Sequence, residues 1–152
     1  MYRLLLVFGE IGVAILAVGV AEFVYFEPIG QSAGLQAHIV GVFSYDPTNH
    51  ETSGADRDTF KRSDQFAAVV DWSALPDNIT VQAIWYDSFQ NVVGSVGPDK
   101  PPALKKQTII PAAVPTDLKY HLPGQYEFVI ERVEGGQPVE VLARRLILVE
   151  RT

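Results

Sequence analysis

The fold is decided by residues 125–150, which read QYEFVIERVEGGQPVEVLARRLILVE. Residues 125–133 and 138–150 are the clearest strand-like runs of the chain, because both are rich in valine, leucine and isoleucine and they flank a short turn. The residues between the two runs, Glu134 to Gln137, include two consecutive glycines and suit a tight hairpin turn. The C-terminal part of the chain is therefore predicted to be a β-hairpin.

Five more segments upstream of this hairpin have the character of strands. They are residues 35–45, 64–72, 78–87, 91–96 and 105–114. In the second and third of them, every other side chain is apolar from Phe66 to Trp72 and from Ile79 to Trp85. Pro111 confines its strand to a sheet edge or a bulge, because proline has no amide proton. We expect a mainly β domain in which seven short antiparallel strands form a two-sheet sandwich.

Two tryptophans and a tyrosine give this domain a resemblance to the immunoglobulin and fibronectin type III-like superfamily. Trp72 ends one strand, and the next strand carries alternating apolar residues up to Trp85. Residues 122–126, LPGQY, are similar to the tyrosine corner that precedes the penultimate strand in such domains. The resemblance covers roughly residues 35–150 and implies that the Tyr126 hydroxyl bonds to backbone a few residues upstream. It implies a fold and no function, since this fold hosts many unrelated roles.

The N-terminal residues 4–26 are long and apolar enough to cross a bilayer as a helix. At about 1.5 Å per residue they reach roughly 35 Å, against a hydrocarbon core of about 30 Å. Arg3 precedes them and no lysine or arginine follows until Arg57, so the positive-inside rule places the N-terminus in the cytoplasm. We expect a transmembrane helix with a short cytoplasmic N-terminus in residues 1–27, a linker in 28–34, and an immunoglobulin-like β-sandwich in 35–152.

The alternative for this N-terminal segment is a cleaved signal peptide. Gly19, Val20 and Ala21 form an acceptable cleavage site of small residues. The apolar run continues beyond Ala21, and this favours an anchor that is retained. Since the sequence has no cysteine, we expect no lipoprotein anchor.

One face of the predicted helix combines an acidic residue with small ones. Its members are Glu10, Ala14, Ala17 and Ala21, which fall on one helical stripe. Small side chains let another backbone approach closely, and an ionised carboxylate within a bilayer is costly unless it is paired or protonated. We expect this face to pack against an integral membrane protein that binds Glu10. In the alternative, the helix is a lone anchor whose Glu10 reaches the cytoplasmic interface or stays neutral.

Composition argues against several classes of function. The net charge of −6 argues against nucleic-acid binding, which requires a basic surface. The absence of cysteine excludes disulfides and thiolate metal sites, and an exported domain without disulfides fits a bacterial envelope. The three histidines share no metal-ligand spacing and are expected to be ordinary surface or hydrogen-bonded residues. No nucleophile-elbow or phosphate-loop pattern occurs, so we predict no enzyme, no cofactor and no metal site.

The polar segment after the first strand, residues 46–63, is the candidate docking loop, because long loops on rigid sandwiches often carry recognition. The residues expected to bind are Asp46, Asn49, Glu51, Asp56, Arg57 and Asp58. Such oxygen ligands could hold calcium, but the EF-hand spacing is absent and basic residues are interleaved, so a solvated loop is favoured. The Tyr86–Phe89 hairpin tip is the exposed aromatic candidate, whereas Trp72 and Trp85 are expected in the core.

These features predict a non-catalytic, single-pass accessory subunit of a larger complex in a bacterial inner membrane. Its helix would pack on a core subunit within the lipid bilayer, and its sandwich would brace components on the periplasmic side of a hetero-oligomer. The alternative is a membrane-anchored extracytoplasmic module that binds a carbohydrate, a peptide or a protein. The sequence does not choose among respiratory, photosynthetic, transport and secretion complexes.

Overall fold

The computed structural model of the chain describes residues 34–104 and 106–151. The predicted transmembrane helix, its face formed by Glu10, Ala14, Ala17 and Ala21, and all of the linker except Gly34 lie outside these ranges. Within them, no helix is long and apolar enough to cross a membrane.

The described ranges contain nine strands and a short 3-10 helix, Pro101–Leu104. The strands are β1 (His38–Asp46), β2 (Glu51–Ser53), β3 (Thr59–Phe60), β4 (Phe66–Asp71), β5 (Thr80–Tyr86), β6 (Val92–Asp99), β7 (Gln107–Pro111), β8 (Gly124–Glu134) and β9 (Gln137–Val149). All seven predicted strands are present, within a few residues of their expected ends. The prediction of seven strands is nevertheless too low, because β2 and β3 form inside the polar segment that was expected to be a loop.

The strands form two sheets that face each other. One has the order β2-β1-β4-β7 and the other has the order β3-β9-β8-β5-β6. Strands β1, β4 and β7 correspond to strands A, B and E of an immunoglobulin-like sandwich, and β5, β8 and β9 correspond to C, F and G. The described domain is therefore mainly β and immunoglobulin-like. It is not wholly antiparallel, because Thr59 and Phe60 of β3 run parallel to β9.

Strand β7 lies at the edge of its sheet, as the position of Pro111 predicts. Here the two sheets approach each other, and the Ala113 amide donates a hydrogen bond to the Val93 carbonyl at 2.6 Å. A Cβ atom at Gly94 would collide with the Pro111 carbonyl oxygen. Glycine is required at this position because the backbones of β6 and β7 come so close together.

Aromatic rings fill the space between the sheets. Trp85 of β5 is fully buried, with its ring centroid 5.6 Å from Phe66 of β4 and 4.9 Å from Phe128 of β8. Its indole Nε1 donates a hydrogen bond to the Ile110 carbonyl oxygen at 2.9 Å and so links the two sheets. Trp72 is also buried, which confirms that both tryptophans belong to the core. In antibody domains a disulfide between strands B and F lies against the corresponding tryptophan, and here phenylalanines take its place.

Candidate functional site

The first half of the predicted docking loop is a tight turn between β1 and β2. The Thr48 amide and the Asn49 side-chain amide both donate hydrogen bonds at 2.8 Å to the carboxylate of Asp46. The Thr48 hydrogen bond is the main reason that the pKa of Asp46 lies below its ordinary value. Glu51 is exposed at the start of β2. The turn therefore uses Asp46 and Asn49 to hold its own shape.

Asp56, in the second half of the loop, connects the two sheets. Its Oδ1 accepts a hydrogen bond from the Val42 amide of β1 at 2.8 Å, next to a bulge in that strand. Its Oδ2 lies 3.1 Å from the Arg145 guanidinium of β9, and Asp58 lies 2.5 Å from the same group. A Cβ atom at Gly41 would meet the Asp56 carboxylate, so glycine leaves room for it. Asp56 and Asp58 thus close one side of the sandwich.

Arg57 is also engaged within the domain. Its guanidinium donates a hydrogen bond to the Ser44 hydroxyl at 2.6 Å and lies 4.4 Å from the centroid of the Phe60 ring. A carboxylate oxygen of Asp64 is 4.0 Å away. Five of the six predicted docking residues therefore stabilise the domain itself, Asp46 and Asn49 in the β1–β2 turn and Asp56, Arg57 and Asp58 between the strands, whereas Glu51 is exposed. Whether they also bind a partner stays a prediction. No metal-binding group of acidic or histidine residues occurs in the described part of the chain.

Removing the Asp56 side chain is expected to destabilise the domain. Asp56→Ala leaves the Val42 amide without its acceptor and weakens the link to Arg145, and we expect a loss of about 1 kcal/mol because water can partly replace the carboxylate. The matched control is Asp58→Ala, which loses only a contact to Arg145 from a side chain that is 72% exposed and should cost less than about 0.5 kcal/mol. Urea denaturation of both variants measures the difference. Equal losses would contradict the closing role of Asp56.

His121 differs from the sequence expectation for the histidines. It is 0% exposed and neither ring nitrogen has a hydrogen-bond partner among the described residues. Its ring lies between those of Phe66, at 4.6 Å, and Tyr126, at 5.8 Å. Burial lowers the pKa of His121 to about 4, although the nearby Asp64 acts in the opposite direction. Its backbone is fixed by Arg62, whose carbonyl accepts a hydrogen bond from the His121 amide at 3.0 Å.

Tyr126 occupies the position of a tyrosine corner at the start of β8. The residue is fully buried, and its ring packs edge-on against Phe66 at 5.8 Å. Burial raises the pKa of its hydroxyl to about 12, and the negative charge of Asp87 acts in the same direction, whereas the Leu122 backbone four residues upstream lowers it. No described atom completes a hydrogen bond to the hydroxyl within normal geometry. The ring position agrees with the resemblance, and the upstream group with which the hydroxyl interacts is the Leu122 backbone, at a geometry outside that of a normal hydrogen bond.

A groove of about 670 Å³ opens beside the β5–β6 hairpin. It lies between the start of β6 and the segment that follows β7. Its apolar lining includes Val92, Val93, Val114, Pro115, Leu118 and Leu122. Val92 is 58% exposed and Leu118 is 38% exposed. Phe89, at the tip of the hairpin, is 70% exposed, which confirms it as an exposed aromatic residue.

Asp87 brings a negative charge to this groove. It is 1% exposed, and its Oδ1 accepts hydrogen bonds from the backbone amides of Phe89 at 2.8 Å and Asn91 at 2.9 Å. The Asn91 side chain donates to Oδ2 at 3.1 Å. Burial acts to raise the pKa of Asp87, but these hydrogen bonds outweigh it and hold the pKa below the ordinary value. Asp87 is therefore ionised at neutral pH, and Asp117 adds a second acidic side chain to the lining.

Comparisons with known proteins add little to this geometry. No family model matches the sequence, and no curated protein matches it. Among solved structures, the chain is similar to an immunoglobulin-like protein from Pseudomonas aeruginosa, with 10% sequence identity and a TM-score of 0.41. The match covers 80% of this chain and 95% of that one. The immunoglobulin-like fold is therefore assigned from the order of the strands in the two sheets and not from this distant likeness.

The groove is the feature that the sequence patterns do not predict. Residues 113 and 114 were assigned to the predicted strand 105–114, and residues 115–118 have neither the period of a strand nor that of a helix. The available signal was Leu118 in the connecting segment before Pro123, because an aliphatic side chain outside a strand needs a surface to pack on.

Proposed function

We propose that the chain is a non-catalytic accessory subunit of a bacterial inner-membrane complex. In this proposal, residues 4–26 hold it in the membrane with the sandwich on the periplasmic side, and the sandwich binds another protein of the complex. The observation that supports it best is the open groove beside the β5–β6 hairpin, because exposed aliphatic surface on a folded domain is typical of an interaction site.

Two titratable side chains, those of His121 and Asp87, support the non-catalytic part of the proposal. A general acid or base must come within hydrogen-bond reach of its substrate. His121 is fully buried between aromatic rings. The oxygens of Asp87 accept hydrogen bonds from its own hairpin. Both groups therefore contribute to the fold, and neither is placed to exchange a proton with a bound molecule.

The membrane part of the proposal can be tested by measuring the mass of the intact complex. The full chain would be purified from its host membrane in a mild detergent, and we expect a hetero-oligomer. Ala17→Leu and Glu10→Leu should release the subunit, because they obstruct close helix packing and remove the polar group. Ile15→Leu, on the opposite side of the predicted helix, is the matched control. A monodisperse monomer that neither variant changes would overturn the proposal.

The exposed ring of Phe89 favours a second candidate function, a membrane-anchored module that binds a carbohydrate, a peptide or a protein on its own. Such a module would be stabilised by its ligand without any other subunit, since selective binding to the native state raises the unfolding temperature. Thermal denaturation of the purified full chain with and without a panel of glycans distinguishes the two candidates. A rise in the unfolding temperature that Phe89→Ala abolishes would favour the module.

A further inference from the structure

We infer that the groove beside the β5–β6 hairpin binds an apolar segment of a partner protein that carries a lysine or arginine side chain. The inference rests on the proposed function, since it specifies the chemistry of the partner that the sandwich would bind. Three properties of the groove lead to it: the apolar lining, the open shape, and the sign of its charged residues.

The lining and the shape of the groove favour a protein segment over a small molecule. Val92 and Leu118 remain 58% and 38% exposed, so a partner that covers them removes apolar surface from water and is stabilised by the hydrophobic effect. The groove is open to solvent. Small-molecule sites usually bury about 70–90% of their ligand, which an open groove does not do. A peptide segment satisfies the geometry because its side chains can fill the groove while its ends continue beyond it.

The charges of the groove determine which segment fits. Among the described residues that line it, Asp87 and Asp117 are charged and none is a lysine or arginine. Asp87 accepts hydrogen bonds from neutral amide groups, and no described cationic group lies within 4.0 Å of it. An ionised carboxylate in such a poorly solvated place attracts an opposite charge, because the interaction is screened less than at an open surface. The same charges disfavour nucleic acid and anionic lipid headgroups.

A second copy of this chain is a poorer fit than a different protein. Its exposed aliphatic side chains include Leu146 and Leu148 on β9. The neighbouring cation, Arg144, is already bonded to Glu127 at 2.7 Å. Docking β9 into the groove would bring no unpaired cation to its acidic side unless that ion pair broke. Self-association is therefore one of the results that would overturn the inference.

Defined peptide pools test the inference directly. Four pools of fluorescent heptapeptides share alternating valine, leucine and isoleucine positions and differ only in a central arginine, lysine, glutamine or glutamate. Their binding to the full chain in lipid nanodiscs is measured by fluorescence anisotropy. We expect the arginine and lysine pools to bind at least about tenfold more tightly than the glutamate pool. Asp117→Asn should reduce the difference in affinity between the arginine pool and the glutamate pool, because it removes one of the two negative charges of the lining.

Variants of the lining assign the binding to the groove. Val92→Lys should abolish binding of the arginine pool, because it places a positive charge, like that of the peptide's arginine, among the apolar side chains of the groove. The matched control, Leu148→Lys, replaces a similarly exposed side chain, at 49%, on a different strand and should leave binding unchanged. Thermal denaturation verifies that both variants are folded.

The inference is wrong if no pool binds, if the glutamate pool binds as tightly as the arginine pool, or if Val92→Lys has no effect. It is also wrong if the chain alone forms a dimer that Val92→Lys dissociates. These results leave the hetero-oligomer measured in detergent unaffected, so failure of the inference is distinguishable from failure of the proposed function.

Discussion

Replacing Trp85 by alanine is expected to remove about 3–5 kcal/mol from the free energy of unfolding. The side chain is fully buried between the sheets, where it contacts Phe66 and Phe128. Its loss leaves a cavity and deprives the Ile110 carbonyl of the hydrogen bond from Nε1. Because a domain of this size is stable by only about 5–15 kcal/mol, the variant should be close to unfolding at 37 °C.

Guanidinium denaturation followed by far-ultraviolet circular dichroism measures this effect. Trp85→Phe keeps an aromatic ring but loses the hydrogen bond to Ile110, so its cost should lie between those of the alanine variant and the unsubstituted protein. Phe89→Ala removes a ring that is 70% exposed and should change stability by less than about 0.5 kcal/mol. If Trp85→Ala and Phe89→Ala cost the same, the aromatic core does not hold the two sheets together.

Lowering the pH from 7 to 5 is expected to destabilise the domain by about 2 kcal/mol through His121 alone. Its pKa is lowered to about 4 in the folded protein, against about 6.5 in an unfolded chain. Between these values the unfolded state binds a proton that the folded state excludes, so stability falls as the pH falls from 6.5 to 4. The cause is burial, since a charged imidazole would have neither water nor a hydrogen-bond partner among the described residues.

The matching variant is His121→Phe, which keeps a ring between Phe66 and Tyr126 and cannot titrate. It should lose this component of the pH dependence, whatever its stability at pH 7. The unsubstituted protein, measured in parallel, gives the reference profile. Urea denaturation at half-unit intervals from pH 7 to pH 5 gives both profiles. If the free energy of unfolding of His121→Phe still falls as steeply from pH 7 to pH 5, another group causes the pH dependence.

The strands that could be predicted are apolar runs of at least six residues between turn residues. Residues 64–72 and 78–87 each carry the apolar face that the sequence predicts, and the structure buries that face; in β4 it also buries the opposite face, with Ala67 and Val69. Strands β2 and β3 could not be predicted in this way, because they are only three and two residues long. They exist through pairing with β1 and β9, and such distant partners leave no periodic pattern in a short polar segment.

The candidate site was less predictable than the fold, for a similar reason. Asp56 and Arg57 were expected in a solvated docking loop, yet their contacts with Val42, Ser44 and Arg145 come from strands elsewhere in the sequence. His121 follows Lys119 and Tyr120 in a segment without a strand period, so the sequence gives no local sign of its burial. It becomes buried because its backbone is bonded to Arg62, which lies 59 residues away. The position of a polar residue depends on tertiary partners such as these, whereas an alternating apolar residue can be assigned to a buried face from the local sequence.

The phenylalanines that stand where antibody domains carry a disulfide also determine how this domain can mature. Packing of Phe66 and Phe128 against Trp85 needs no oxidant, and the chain has no thiol that could pair wrongly. Folding is therefore independent of disulfide isomerases and of the redox potential of the compartment. The sandwich can reach the same native state in a reducing cytosol, in an oxidising envelope, or in a cell whose oxidative folding pathway has been removed.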